Sequence, residues 1–375
     1  MTENKNPIEW RVIGETVPGA SHIRAGIPNQ DNILFVRESS RSLPIVLCVA
    51  DGHGSPKCFR SDRGSRYVVK KAAYLLSEFL DERRGKFDVA EIESQKDYLS
   101  TELVRRWREA VEADLKKEPF TEKEFENLEK KSDARARKLV EDNPLLAYGT
   151  TSLTVAMEED FVVYWQLGDG DILNISETGE VVKPLSEDPR LLANETTSLC
   201  LPKAEKDFRF LVQKISASDS PQMILLSTDG YLNSFSNEAG FFQAGTDILQ
   251  MLQTENGFND VSENLKAWLE EATQMGSGDD STVGIIYRPQ LIGKSEKTEQ
   301  SETEKTPQIE TPSAPETPSA IDAPLDSQSI SPENEEDVTV TITIKKDKNK
   351  IPQSSSAALA ETDSALSNLE KTSEK

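Results

Sequence analysis

Aromatic residues run out early in this chain. No Phe, Trp, Tyr or His follows Tyr287, whereas 7 of the 19 prolines lie after Gln290. Residues from about Leu291 to Lys375 are mostly Ser, Thr, Glu, Lys, Pro and Ala. Such a segment cannot bury enough apolar surface to offset chain entropy, so the sequence predicts a folded unit at 1–290 and a disordered acidic tail at 291–375. Cysteine is also scarce. Cys48, Cys58 and Cys200 are odd in number and form no C-x-x-C, which argues against a disulfide framework and for a reducing, cytoplasmic setting. Long apolar runs are missing: nothing approaches the ~20 residues of a membrane span, and the start M-T-E-N-K-N-P-I-E-W lacks the apolar core of a signal peptide. Positive charge is in deficit. With 43 Lys and Arg against 66 Asp and Glu, the net charge is −23, which disfavours nucleic acid and anionic membranes as partners. There is no G-x-S-x-G, and neither Cys48 nor Cys58 opens a C-x5-R loop, so a covalent nucleophile is not suggested.

What is present is a series of short β-type runs: Trp10–Ile13, Ile33–Arg37, Ile45–Ala50, Ser152–Met157, Asp160–Gln166, Ile172–Ser176, Phe208–Val212, Met223–Ser227 and Thr282–Tyr287. Turns such as M-E-E-D at 157–160 are too short for a crossover helix and favour antiparallel pairing. Helical spacing covers Arg63–Phe79, then Leu103, Trp107, Val111 and Leu115 with a charged continuation to Asn143, and roughly Thr246–Ala272. Strands with segregated helices imply an α+β layered domain.

Four acidic turns sit at the ends of these runs: A-D-G-H at 50–53, L-G-D-G-D at 167–171, S-T-D-G-Y at 227–231 and S-G-D-D-S-T at 277–282. Asp-Gly alone is ordinary turn chemistry. Several partly desolvated carboxylates brought together would repel one another, and a hard divalent cation removes the conflict. Asp51 and the Gly52 carbonyl are candidate ligands, with His53, one of two histidines in the chain, beside them. A two-metal site suits attack of water on phosphorus, and a nearby histidine can protonate the leaving oxygen.

The ordered motifs P-N-Q-D-N (28–32), V-A-D-G-H-G (49–54), G-T-T (149–151), L-G-D-G (167–170), S-T-D-G (227–230) and G-D-D-S-T-V (278–283) resemble those of the PPM family, the protein phosphatase type 2C-like metal-dependent Ser/Thr phosphatases, in a bacterial branch. The resemblance implies an α-β-β-α sandwich of two antiparallel sheets flanked by helices, with two or three Mn2+ or Mg2+ ions at one edge. Asp51 would bridge two metals, the Gly52 carbonyl would hold the second, and Asp229 and Asp279 would complete the first. Asp31 would lie near the second metal through water, and Asp169 would hold a third. His53 would be the general acid. Substrates would be phosphorylated Ser/Thr proteins, with a cognate Ser/Thr kinase. The family's acidic pair is Gln30-Asp31 here. Its phosphate-binding arginine is replaced by Gly26, with Arg24 two residues upstream as the substitute.

Other features stay open at this point. His22 fits a structural hydrogen bond or a substrate contact equally well. Asp171 and Asp280 read as support or solvated groups rather than ligands. Lys57, Arg60, Arg63, Arg66 and Lys70 form either a solvated helix face or a positive lip that steers phosphorylated substrates. The loop from Pro184 to Ala204 sits where the family carries a variable flap. In the tail, V-T-V-T-I-T-I (338–344) alternates as a short strand would, suited to docking on a partner's sheet edge or back on the domain. Two alternatives compete with the enzyme: a pseudophosphatase used for binding, and a haloacid-dehalogenase-like phosphotransferase prompted by D-G-D-I at 169–172.

Overall fold

The computed structural model describes residues 10–38, 43–84, 88–188, 196–216 and 220–289, together with the backbone of 342–344. The expectation of a disordered tail therefore concerns residues that are almost all outside this set. In chain order the elements are β1 (Arg11–Val17), α1 (Ala20–Ala25), β2 (Asn32–Glu38), β3 (Ile45–Ala50), α2 (Ser61–Glu82), α3 (Val89–Ser94), α4 (Lys96–Lys117), α5 (Glu122–Lys131) and α6 (Ala134–Asp142). Then come β4 (Ser152–Met157), β5 (Phe161–Leu167), β6 (Asp171–Ile175), β7 (Val181–Val182), β8 (Arg209–Lys214), β9 (Met223–Ser227), α7 (Asp229–Leu232), α8 (Glu238–Leu252), α9 (Gly257–Met275) and β10 (Ser281–Tyr287).

These strands make two five-stranded antiparallel sheets, ordered β1-β10-β9-β6-β7 and β2-β3-β4-β5-β8. Tail residues Ile342–Ile344 run parallel to β2 along the outer edge of the second sheet. Three apolar layers fill the sandwich. Ile45, Leu47 and Val49 of β3 face Ile224, Leu226 and Ile286 of the other sheet. The alternate residues Val46, Cys48 and Ala50 face outward and pack under α2 and α4, with Leu76, Trp107 and Trp165. Leu173, Met223, Leu225 and Ile285 pack under α8 and α9. Because helices cover both outer faces, these strands are apolar on both sides, which is why they read as continuous greasy runs rather than as alternation.

The helix boundaries differ from the sequence expectation. The stretch leading to Asn143 is three helices, because Thr121 and Glu124 form a reciprocal capping box and Asp133 caps the next start through Arg135 N and Ala136 N. The region expected at Thr246–Ala272 is likewise two, α8 and α9, with Asn237 capping the first through Gly240 N. Helix α1 carries almost no apolar periodicity and ends at Gly26, whose φ of 64° is left-handed.

Candidate active site

Antiparallel register decides where the aspartates go. Asn32 pairs with Ala50, so Asp31 and Asp51 stand at the same end of the β2–β3 pair. Ser152 pairs with Leu167, which brings Thr151 and the 168–170 turn to that end. On the other sheet Asp171 and Val283 both pair with Ser227, which gathers Asp169, Asp229 and Asp279. Every acidic turn thus lies on one rim of the sandwich.

The electrostatics record the convergence. Burial pushes the Asp51 carboxyl well above the usual range, and the charges of Asp31, Asp229, Asp169 and Asp279 push it further. Asp31 is raised by burial, then by Asp280 and Asp229, while hydroxyl hydrogen bonds from Thr228 (2.7 Å) and Thr282 (2.8 Å) to its Oδ2 oppose the rise. Asp229 is pushed up to about 6, by burial first and then by Asp169 and Asp279. Asp169 Oδ1 is buried without a hydrogen-bond partner. Five carboxylates crowded on one rim, three of them with raised pKa values and one with an orphaned oxygen, are a donor set suited to hard divalent cations.

Backbone contacts fix the frame. Thr150 Oγ1 (2.8 Å) and the Thr151 amide (2.9 Å) donate to the Asp51 carbonyl, and Thr151 Oγ1 accepts from the Asp51 amide (2.9 Å). The G-T-T motif is therefore the clamp on the D-G-H turn. A Cβ at Gly52 would stand 2.4 Å from the Gln30 carbonyl oxygen, so only glycine lets these backbones meet. His53 donates its amide to Gly149 O (3.0 Å). Its ring packs on Gly149, and its Nε2 is buried without a partner. Burial lowers the His53 pKa, and Asp169 opposes that. A cavity of about 320 Å³ opens beside Asp169, lined also by Asp171, Lys183 and Arg209.

The family model described as "Protein phosphatase 2C" matches residues 18–270. The chain belongs to the protein phosphatase 2C family. By that membership this enzyme is a phosphoprotein phosphatase, and the haloacid-dehalogenase-like reading of Asp169–Ile172 falls away. Among solved structures, the serine/threonine phosphatase PstP/Ppp of Mycobacterium tuberculosis is 18% identical, covers 75% of this chain and 99% of its own, and superposes with a TM-score of 0.47. Stp1 of Staphylococcus aureus is 14% identical, with coverages of 76% and 97% and a TM-score of 0.45. A PstP catalytic domain in complex with two manganese ions is 18% identical, with coverages of 75% and 99% and a TM-score of 0.46. No curated protein matches significantly.

The remaining residues fall into place in this phosphatase as follows. Arg24 is exposed in the last turn of α1. Asp280 is buried, not solvated, and accepts the amides of Gly19 (2.6 Å) and Gln30 (2.7 Å), so it ties the N-terminal loop to the rim. Asp171 is also buried and pairs with Lys183 at 2.8 Å. The positive lip is not free: Arg60 is buried against Glu124, and Arg63 binds Asp114 and Glu118. Of the flap region, residues 189–195 lie outside the described set. Sequence reasoning misses the threonines that hold Asp31, although S-T-D-G and D-D-S-T set each one a residue or two from an aspartate. Among the described residues no helix is long and apolar enough to cross a membrane.

Proposed function

We propose that this enzyme is a cation-dependent protein Ser/Thr phosphatase. Asp51, Asp229, Asp279, Asp169, Asp31 and the Gly52 carbonyl would hold two or three Mn2+ or Mg2+ ions. The observation that carries the reading is the convergence of carboxylates from five separate chain segments on one rim, which raises the pKa values of Asp31, Asp51 and Asp229. When bound, such cations lower the pKa of water and neutralise phosphoryl oxygens. The chain supplies the rest. Asp31 stays oriented through Thr228 and Thr282, and Asp51 through the clamp at 150–151. His53, two residues from Asp51 and with its Nε2 buried and unpartnered, would give a proton to the departing serine or threonine oxygen. A buried imidazole whose pKa is depressed is the stronger acid once it carries that proton. Arg24 is the candidate for the substrate phosphate. Phosphorylated proteins are the substrates in this reading, and a Ser/Thr kinase acts in opposition.

The test is hydrolysis of p-nitrophenyl phosphate and a phosphothreonine peptide with Mn2+, Mg2+ or chelator. Chelation should abolish turnover, and Asp229→Asn should lower kcat/KM by more than roughly 100-fold. Turnover that survives chelation removes the reading.

A further inference from the structure

The chain has only two histidines, and the fold carries both to the carboxylate rim. His53 has a role above; His22 has none. Helix α1 bears His22, and its start is laced to the turn before β10. The Ser21 amide (2.8 Å) and hydroxyl (2.5 Å) both donate to Gly278 O, and the Ala20 amide donates to Thr273 Oγ1 (3.1 Å). These bonds press the imidazole edge against two carboxylates. Its Nδ1 lies 2.9 Å from Asp280 Oδ1, and its Nε2 lies 3.5 Å from Asp279 Oδ1. Neither contact is aligned as a hydrogen bond, and Nδ1 is buried with no partner. The carboxylates are already served by backbone amides: Asp280 accepts from Gly19 and Gln30, and Asp279 Oδ1 accepts from Asp280 N at 2.9 Å.

A neutral imidazole has one nitrogen lone pair. Set against a carboxylate oxygen, that lone pair is repelled; with a cation between them both become ligands. One donor atom from each of His22, Asp279 and Asp280 lies within 4.8 Å of the others. Adjacent donors on one cation with bonds of about 2.1–2.2 Å stand roughly 3.0 Å apart at a right angle, close to the 2.9 Å between the unpartnered Nδ1 and Asp280 Oδ1, and Nδ1 is the one nitrogen the ring would offer. We propose that His22, Asp279 and Asp280 form a mixed nitrogen–oxygen cation site that shares Asp279 with the carboxylate cluster. An imidazole ligand suits transition metals and disfavours Mg2+, which prefers oxygen; Mn2+, an oxygen-leaning member of the series, is the probe because its unpaired electrons report a bound nitrogen. The inference rests on the proposed reading in one respect, that Asp279 faces a cation.

Electron spin-echo spectroscopy of the Mn2+-loaded full chain tests it, because imidazole nitrogen bound to Mn2+ modulates the echo and there are only two imidazoles to consider. The modulation should be present in wild type and in His53→Gln, and absent from His22→Gln. His22→Gln should also bind Mn2+ about tenfold more weakly at one site, with Mg2+ affinity unchanged. Modulation that persists in His22→Gln, or that disappears in His53→Gln, overturns the site. Wild-type protein that binds Mn2+ and hydrolyses phosphate esters without nitrogen modulation sinks this inference alone. Wild-type protein that binds neither Mn2+ nor Mg2+ sinks the proposed function with it. The comparison of wild type with His53→Gln decides the matter even where His22→Gln does not fold.

Discussion

Two charged clusters flank the start of α2, and they are opposites. At the rim, Asp31, Asp51, Asp169, Asp229 and Asp279 crowd together, and the carboxyls of Asp31, Asp51 and Asp229 are forced upward in pKa. One turn along, Arg60 and Arg63 meet Asp114, Glu118 and Glu124. There the shifts run the other way. Burial alone would raise Asp114, but hydrogen bonds from Tyr148, Tyr67 and Arg63 more than offset it. Burial would likewise raise Glu124, and Arg60 with the Thr121 amide brings it down. Arg60 also stacks over Phe120, 4.8 Å from the ring centre. The lesson is one of counter-charge. Where the chain provides it, the cluster is structural. Where counter-charge is short, the carboxyls of Asp31, Asp51 and Asp229 rise instead, and the proposed cations would supply it.

Breaking each cluster should therefore have opposite consequences. The largest effect is expected at the rim: Asp51→Asn should lower kcat/KM by more than about 100-fold, yet raise the melting temperature of the chelated protein, since it removes repulsion. Next, Arg60→Ala should destabilise by roughly 3 kcal/mol in urea titration, because it strands Glu124 and Asp114, with little change in kcat for the folded fraction. A stability loss confined to Asp51→Asn, with Arg60→Ala neutral, would reverse the comparison.

A third contrast is in pH. The folded carboxyl of Asp229 lies at about 6, above its ordinary 3.8, and those of Asp31 and Asp51 are raised as well. Groups that hold protons more tightly when folded favour the fold at low pH, and that contribution is lost as pH rises through the window from 3.8 to about 6 and beyond. Chelated protein should lose this part of its stability between pH 4 and 7, and added Mn2+ should raise the melting temperature more at pH 7 than at pH 4.5. Asp229→Asn should flatten the chelated profile. The smallest effect belongs to exposed Arg66: Arg66→Glu should change kcat/KM less than about twofold at low salt, and a large salt-dependent drop would restore the steering role that Arg60 and Arg63 do not offer.

Much of this was readable in advance, for identifiable reasons. Each greasy run from Ile33 to Tyr287 became a strand, since an apolar segment of that length has to be covered on both faces. The edges were harder. Val181–Val182 is too short to announce itself, and β1 continues to Val17 past the polar Glu15 and Thr16 because it pairs with β10 along its whole length. The breaks at Thr121 and Asp133 arise from single side-chain hydrogen bonds, which apolar spacing does not register. At the site, Asp51, Asp229 and Asp279 are conspicuous because each sits beside glycine at a strand end. Asp280, His22, Thr228 and Thr282 are not, because their partners lie across the sandwich.

The amino-acid sequence by itself determined that strands would end in carboxylates: composition, turn glycines and apolar runs are local properties, and local physics reads them. Only the tertiary structure decided which charges meet. Register between strands far apart in the chain set five aspartates on one rim. The packing of α2 against α4 gave Arg63 to Asp114 and Glu118, Arg60 just before α2 went to Glu124, and the lacing of α1 to the turn before β10 turned His22 towards Asp279. Coulomb interactions depend on distance in space, and a linear chain does not carry that distance until it folds.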